Sequence, residues 1–182
     1  WARVTNAGGA VGFVPPVTPA QILPTAERSF ARVAAREDTL VCLAVPEPGG
    51  EADDGRARSG HRGAPGQGGH HVIAWLLLAE SESHLRRHWR TVYRVQVDPD
   101  WQGTGLGRRL MAEAARVARD HLGLEALTLM TRGGTGAEHF YLRCGYREVG
   151  RIPRAIRVRP GDDRDEVHFW LDLVPGDLTA PA

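Results

Sequence analysis

The spacing of apolar positions changes repeatedly along this chain, and each change marks an element. Residues Trp1 to Thr18 mix apolar side chains with Gly8, Gly9, Gly12, Pro15 and Pro16, which predicts a loop. After Thr25, the positions Ala26, Phe30, Val33 and Ala34 recur with helical spacing, so a helix is expected to about Arg36. Thr39 to Val45 reads as a strand. Val72 to Ala79 is almost continuously apolar, as in a central strand covered on both faces. A polar connection, Glu80 to Arg90, leads to alternation of Val92, Val95 and Val97 around Tyr93, Arg94 and Gln96, again a strand. Leu106, Leu110, Ala114, Val117 and Leu122 then form the stripe of a helix ending near His121. Ala126 to Met130 is a strand, and Gly136 to Arg143 a short helix closed by Gly145. Strands follow near Arg147 to Ile152 and Glu166 to Leu173. One parallel crossover joins Val92–Val97 to Ala126–Met130, so the class is a mixed α/β sheet flanked by helices.

The segment 46–71 breaks this regularity. It holds eight glycines, three prolines and no Val, Ile, Leu, Met or aromatic residue, so burial cannot offset its ordering entropy and a disordered loop is expected. His61, His70 and His71 lie in or beside it without cysteine or carboxylate partners at ligand spacing, and no metal site is predicted. The length of 182 residues suits one domain spanning 1–182. A net charge of +1 argues against a polyanion-binding protein, and no nucleic-acid partner is expected. No apolar run approaches the roughly 20 residues of a membrane span, and no signal-peptide pattern is visible. The chain is therefore expected to be cytoplasmic and unattached to membranes, with Cys42 and Cys144 as buried free thiols.

The chemistry concentrates at Val97-Asp98-Pro99-Asp100-Trp101-Gln102-Gly103-Thr104-Gly105-Leu106-Gly107-Arg108-Arg109. A strand, a glycine turn and a helix start in succession aim several backbone N–H groups and the positive end of a helix dipole at one anion. A dinucleotide motif would need a third glycine where Arg108 stands, and a nucleoside-triphosphate loop would need a lysine, which this chain lacks altogether. The pattern V-x-P-x-x-[QR]-G-x-G-x-[GA] fits, through Val97, Pro99, Gln102, Gly103, Gly105 and Gly107. It resembles the acyl-CoA pyrophosphate loop of the GNAT superfamily of N-acetyltransferases. The run Phe140-Tyr141-Leu142-Arg143-Cys144-Gly145-Tyr146 is similar to that superfamily's second feature, F-Y-x-x-x-G-[FY].

The resemblance implies a mostly antiparallel sheet whose two central parallel strands splay apart, with acetyl-CoA as co-substrate. It implies that Gln102, Gly103, Thr104, Gly105, Leu106, Gly107, Arg108 and Arg109 hold the pyrophosphate. Backbone at Val95 and Val97 would take the pantetheine arm, and Tyr141 would protonate the departing thiolate. Asn6 to Phe13, the Phe140–Tyr141 helix and Val149 to Pro153 look similar to the tabtoxin-resistance acetyltransferases, which implies a small, amino-acid-like or toxin-like amine acceptor. The superfamily's usual first strand would precede Trp1; a partner subunit would complete the sheet edge, making a homodimer an expectation. Gly134 stands where many relatives have asparagine. Thr91 stands where many have a basic glutamate, so the general base is unassigned, with His88, His139 or a water chain as candidates. Arg86, Arg87 and Arg90 with Trp89 form a cluster suited to a substrate carboxylate, to the adenosine 3′-phosphate, or simply to an exposed connection. Arg151 to Arg164, balanced by Asp162, Asp163, Asp165 and Glu166, reads as a solvated hairpin. Three functions stay open: a small-amine N-acetyltransferase, a catalytically silent acyl-CoA-binding sensor, and an acetyltransferase of protein N-termini or lysines.

Overall fold

The computed structural model describes residues 1–9, 11–46 and 69–174. Six strands form one sheet in the order β1-β2-β3-β4-β6-β5, with β1 Thr39–Pro46, β2 His70–Ala79, β3 Trp89–Val97, β4 Ala126–Arg132, β5 Arg147–Arg159 and β6 Asp162–Asp172. Every neighbouring pair is antiparallel except β3 and β4. The helices are α1 Ala2–Asn6, α2 Pro19–Ala34, α3 Leu106–Asp120 and α4 Ala137–Arg143. This is the expected mixed sheet; most of the segment 46–71 lies outside the described residues, apart from Pro46 and the stretch from Gly69.

Alternation sorts each strand's side chains between two faces. Ala74, Leu76 and Leu78 of β2, Leu127 and Leu129 of β4, and Val167 and Phe169 of β6 meet Leu110, Met111, Ala114 and Ala118 of α3 in the main core. Fully burying one such Leu or Phe side chain is worth about 1.5–3 kcal/mol, so this face supplies most of the apolar stabilisation. On the other face Trp75 meets Trp1 and Phe30 edge-on or tilted, each with ring centroids 5.6 Å apart. Gln96 is also buried on β3, opposite Trp75 in register, and its amide nitrogen and oxygen find no partner among the described residues.

Several boundaries differ from the sequence reading. Residues 2–6 form one helical turn, with Val4 and Thr5 buried, before Gly8 carries the chain into the left-handed region. α2 starts at Pro19 because Thr18 and Gln21 make a reciprocal capping box and Pro19 occupies the first turn, where its missing N–H costs nothing. β5 runs past Pro153 to Arg159 by accommodating register shifts, one of them between Ile152 and Ile156. Cys42 is exposed on β1 rather than buried, because it alternates with the core residue Val41; Cys144 is half-buried, and both are free thiols.

Candidate active site

The geometry of the site begins where β3 and β4 part. Trp89, Arg90 and Thr91 pair with Ala126, Leu127 and Thr128, and the register stops there although β3 continues to Val97 and β4 to Arg132. On its other side β3 carries a bulge: Tyr93 pairs with Leu77 and Gln96 with Trp75, so Arg94 and Val95 together oppose Leu76. Arg94 takes φ 58° there, a left-handed conformation uncommon outside glycine. The divergence opens a cavity of about 590 Å³. Its lining includes Val92 and Tyr141 from the α3 side of the sheet and Met130, Arg132 and Glu166 from the opposite side, so it is a slot through the sheet. Val95 lies on the slot wall.

At the far end of β3 the chain turns into α3. Gly103 (φ 78°) and Gly105 (φ 87°) are left-handed, and a Cβ at either would point into open space. Gly105 is the N-cap of α3 and no side chain caps the helix, which leaves its first N–H groups available to an anion. The turn is braced from within. Thr104 Oγ1 donates to Trp101 O at 2.7 Å, and Gln102 Nε2 donates to Val97 O at 3.1 Å. The Gln102 amide thus braces the turn through the Val97 carbonyl, a structural use the sequence did not reveal. Gly107 serves a different purpose from its two neighbours: a Cβ there would stand 3.2 Å and 3.3 Å from ring carbons of Phe140. It lets α4 pack against the first turn of α3. Leu106 is half-buried there, while Arg108 and Arg109 are exposed beside the turn.

α4 thus places Tyr141 on the slot wall, its ring 5.2 Å from Phe140 and 5.8 Å from Phe169 between centroids. Burial, with a smaller effect from Cys144, pushes the Tyr141 phenol up to about 12. Burial likewise raises the Cys144 thiol, against the opposing pull of Arg108 and Arg143. Both groups are held protonated at neutral pH. Gly134, where an asparagine was expected, instead donates its N–H to Glu138 Oε1 at 2.8 Å.

The candidate bases fall elsewhere. His88 and His139 are exposed, and neither lines the slot. Thr91 belongs to the last paired step before the strands part. The carboxylate on the slot wall is Glu166, with one oxygen 2.9 Å from His168 Nε2. In sequence, Glu166 reads as a balancing charge in a solvated hairpin. The usable signal was its alternation with core residues Val167 and Phe169, which puts Glu166 and His168 together on the face opposite α3. The basic cluster also moves away from the site. Arg86 stacks on Trp89, Arg90 pairs with Glu80 at 2.8 Å, and Trp89 begins β3, about 25 Å of strand from the glycine turn at ~3.3 Å per residue.

Against known proteins, residues 68–148 match the family described as Acetyltransferase (GNAT) domain. A tRNA uridine(34) acetyltransferase of Dehalococcoides mccartyi is 44% identical over 54 residues, 30% of this chain and 11% of that protein. A mycothiol acetyltransferase of Propionibacterium freudenreichii is 30% identical over 92 residues, 50% of this chain and 28% of that protein. The chain therefore spans only a small part of the length of these relatives. A solved structure of a GNAT-family acetyltransferase from Desulfovibrio desulfuricans superposes with a TM-score of 0.60 at 19% identity, covering 87% of this chain and 84% of that one, a likeness of fold. The match over residues 68–148 runs from β2 to the start of β5 and takes in the parted strands, the glycine turn and α4; over these residues the chain is similar to a GNAT acetyltransferase domain.

Proposed function

We propose that this chain is an acetyl-CoA-dependent N-acetyltransferase acting on a small amine that enters the slot from the Glu166 side. The observation that carries the reading is the slot itself: a passage through the sheet with Tyr141 on one wall and Glu166 on the other, next to an uncapped, glycine-led helix start. The glycine turn fits a pyrophosphate, because two positions without Cβ lie open beside unpaired helix N–H groups. Gly103, Thr104 and Gly105 together with the first N–H groups of α3 would hold it, with Arg108 and Arg109 adding charge from outside. When bound, acetyl-CoA supplies a thioester whose carbonyl carbon accepts the amine and whose sulfur leaves as a thiolate.

The residues divide the remaining work. Backbone at Arg94 and Val95, two residues on the slot wall, would polarise the thioester carbonyl. An alkylammonium has a pKa near 10.4 and must lose a proton before it attacks. Glu166, the carboxylate on the slot wall, takes that proton. Tyr141 donates a hydrogen bond to the leaving sulfur. Its pKa of about 12 lies above the ~8.5 of a thiol, so complete proton transfer would be uphill by about 5 kcal/mol. The phenol therefore stabilises the thiolate, and solvent completes its protonation.

The test is turnover of wild type and Tyr141→Phe over a panel of small amines, followed by free-thiol release. The reading expects kcat to fall about 10- to 100-fold in the variant with acetyl-CoA affinity retained. Tight acetyl-CoA binding with no turnover of any amine by wild type would favour a silent sensor.

A further inference from the structure

The acceptor side of the slot holds more positive charge than acetyl transfer requires. Its charged lining is Arg94, Arg132, Arg157 and Glu166. Arg157 is neutralised by Asp163 through two contacts of 2.7 Å and 2.8 Å. Arg94 and Arg132 form no salt bridge with any described residue.

Arg94 is also held in place at some cost. Its backbone is left-handed, its Nη1 donates to Val11 O at 3.2 Å, and its guanidinium lies 5.0 Å from the centroid of the Trp1 ring. Gly12 makes room for it, since a Cβ there would collide with Nη1. Burial lowers its pKa, and no carboxylate among the described residues compensates. Val11 O is its one acceptor among the described residues, while a guanidinium offers five N–H donors. A half-buried cation fixed in this way, with donors to spare, is a receptor for an anion.

We propose that the acceptor carries a carboxylate alongside its amine, and that Arg94, supported by Arg132, binds this carboxylate and sets the preference for such substrates. The proposal rests on the acetyltransferase reading and specifies its substrate class. A polycationic amine would instead meet Arg94, which has no carboxylate partner among the described residues, and is disfavoured. With the carboxylate on Arg94, the amine of an amino-acid-like molecule is left to reach toward Glu166.

The experiment compares thiol release for amino acids, their amides and the matching decarboxylated amines in wild type, Arg94→Gln, Arg94→Lys and Arg132→Gln. Wild type should use the acids at least 10-fold better in kcat/KM than the amides. Arg94→Gln should bring that ratio close to 1, and Arg94→Lys should restore part of it. Equal or better use of amides or decarboxylated amines by wild type overturns the proposal. So does an unchanged ratio in Arg94→Gln, or a 10-fold rise in its acetyl-CoA Kd, which would assign Arg94 to the co-substrate. If no panel member turns over, N-acetylated acids and amides are titrated into the CoA-loaded protein; absence of an acid preference there also overturns it. A wild-type protein that does not bind acetyl-CoA at all removes the acetyltransferase reading itself, a result distinct from the others.

Discussion

Replacing Gly12 by alanine tests whether the N-terminal segment and the β3 bulge are locked together through Arg94. Two costs follow from the geometry. The first is conformational: φ 93° at Gly12 suits glycine, and an L-residue in the left-handed region costs about 1–2 kcal/mol. The second is steric, because the new Cβ would occupy the place of Arg94 Nη1. A guanidinium on a flexible stem can swing away, so this cost is capped by what the swing forfeits. The loss comprises a charged hydrogen bond to Val11 O, about 1.5–3 kcal/mol, and a cation–π contact with Trp1, about 0.5–2 kcal/mol, partly regained by hydration of the freed guanidinium. A total near 3 kcal/mol is expected. Gly8→Ala is the control: Gly8 has φ 97° but open space where its Cβ would go, so it pays only the backbone cost, about 1 kcal/mol. Urea unfolding of both variants, alone and with Arg94→Ala, completes a double-mutant cycle. In the Arg94→Ala background Gly12→Ala should cost no more than Gly8→Ala. Equal costs of the two glycine variants in the wild-type background would refute the lock.

Three further outcomes follow from the same structure. Glu166→Gln should lower kcat about 10²–10⁴-fold at neutral pH, with the deficit shrinking as pH rises toward the amine pKa, because free amine then needs no base; a pH–rate profile parallel to that of wild type would remove Glu166 from proton transfer. Gln96→Met should raise stability by about 1 kcal/mol in urea unfolding, since the buried amide has no partner among the described residues and Met matches its length; a loss of stability would mean the amide is satisfied. Burial raises the pKa of Tyr141 to about 12 and that of Tyr146 further, so both favour the folded state fully below pH 10, where the unfolded phenols are still protonated. Above pH 10 the unfolded tyrosines ionise while the folded ones do not. Stability should fall by about 1.4 kcal/mol per pH unit for each tyrosine, the Tyr141 contribution being exhausted near pH 12. Tyr141→Phe and Tyr146→Phe should each reduce that slope, which denaturation between pH 9 and 12 measures.

The elements legible in the sequence are those whose pattern is local and strongly periodic. α3 begins at Leu106 as its stripe predicts, and the alternation around Val92, Val95 and Val97 identifies β3. The separation of β3 from β4 came from family resemblance, since no periodicity encodes where a parallel register stops. α2 starts at Pro19, ahead of the Thr25 start that the apolar spacing predicts, because Thr18 and Gln21 cap it, and it carries Pro24 inside its length. The glycine turn was legible as a turn. The packing of Gly107 against Phe140 was not, because the two are distant in sequence. The same limit hid Arg94 and Glu166. Each acquires its role from chain that is remote in sequence, Val11 and Gly12 for one and the parted strands for the other. His88 and His139 had the right chemistry and the wrong address.

In the proposed reaction the glycine-led start of α3 would hold a pyrophosphate while the slot takes the attached arm. Isothermal titration with acetyl-CoA, set against S-acetylpantetheine, which has the same thioester arm but no pyrophosphate, tests it most directly. Saturable binding of acetyl-CoA and at least 100-fold weaker binding of the truncated compound are expected. Equal affinities, or no binding of acetyl-CoA, would contradict it.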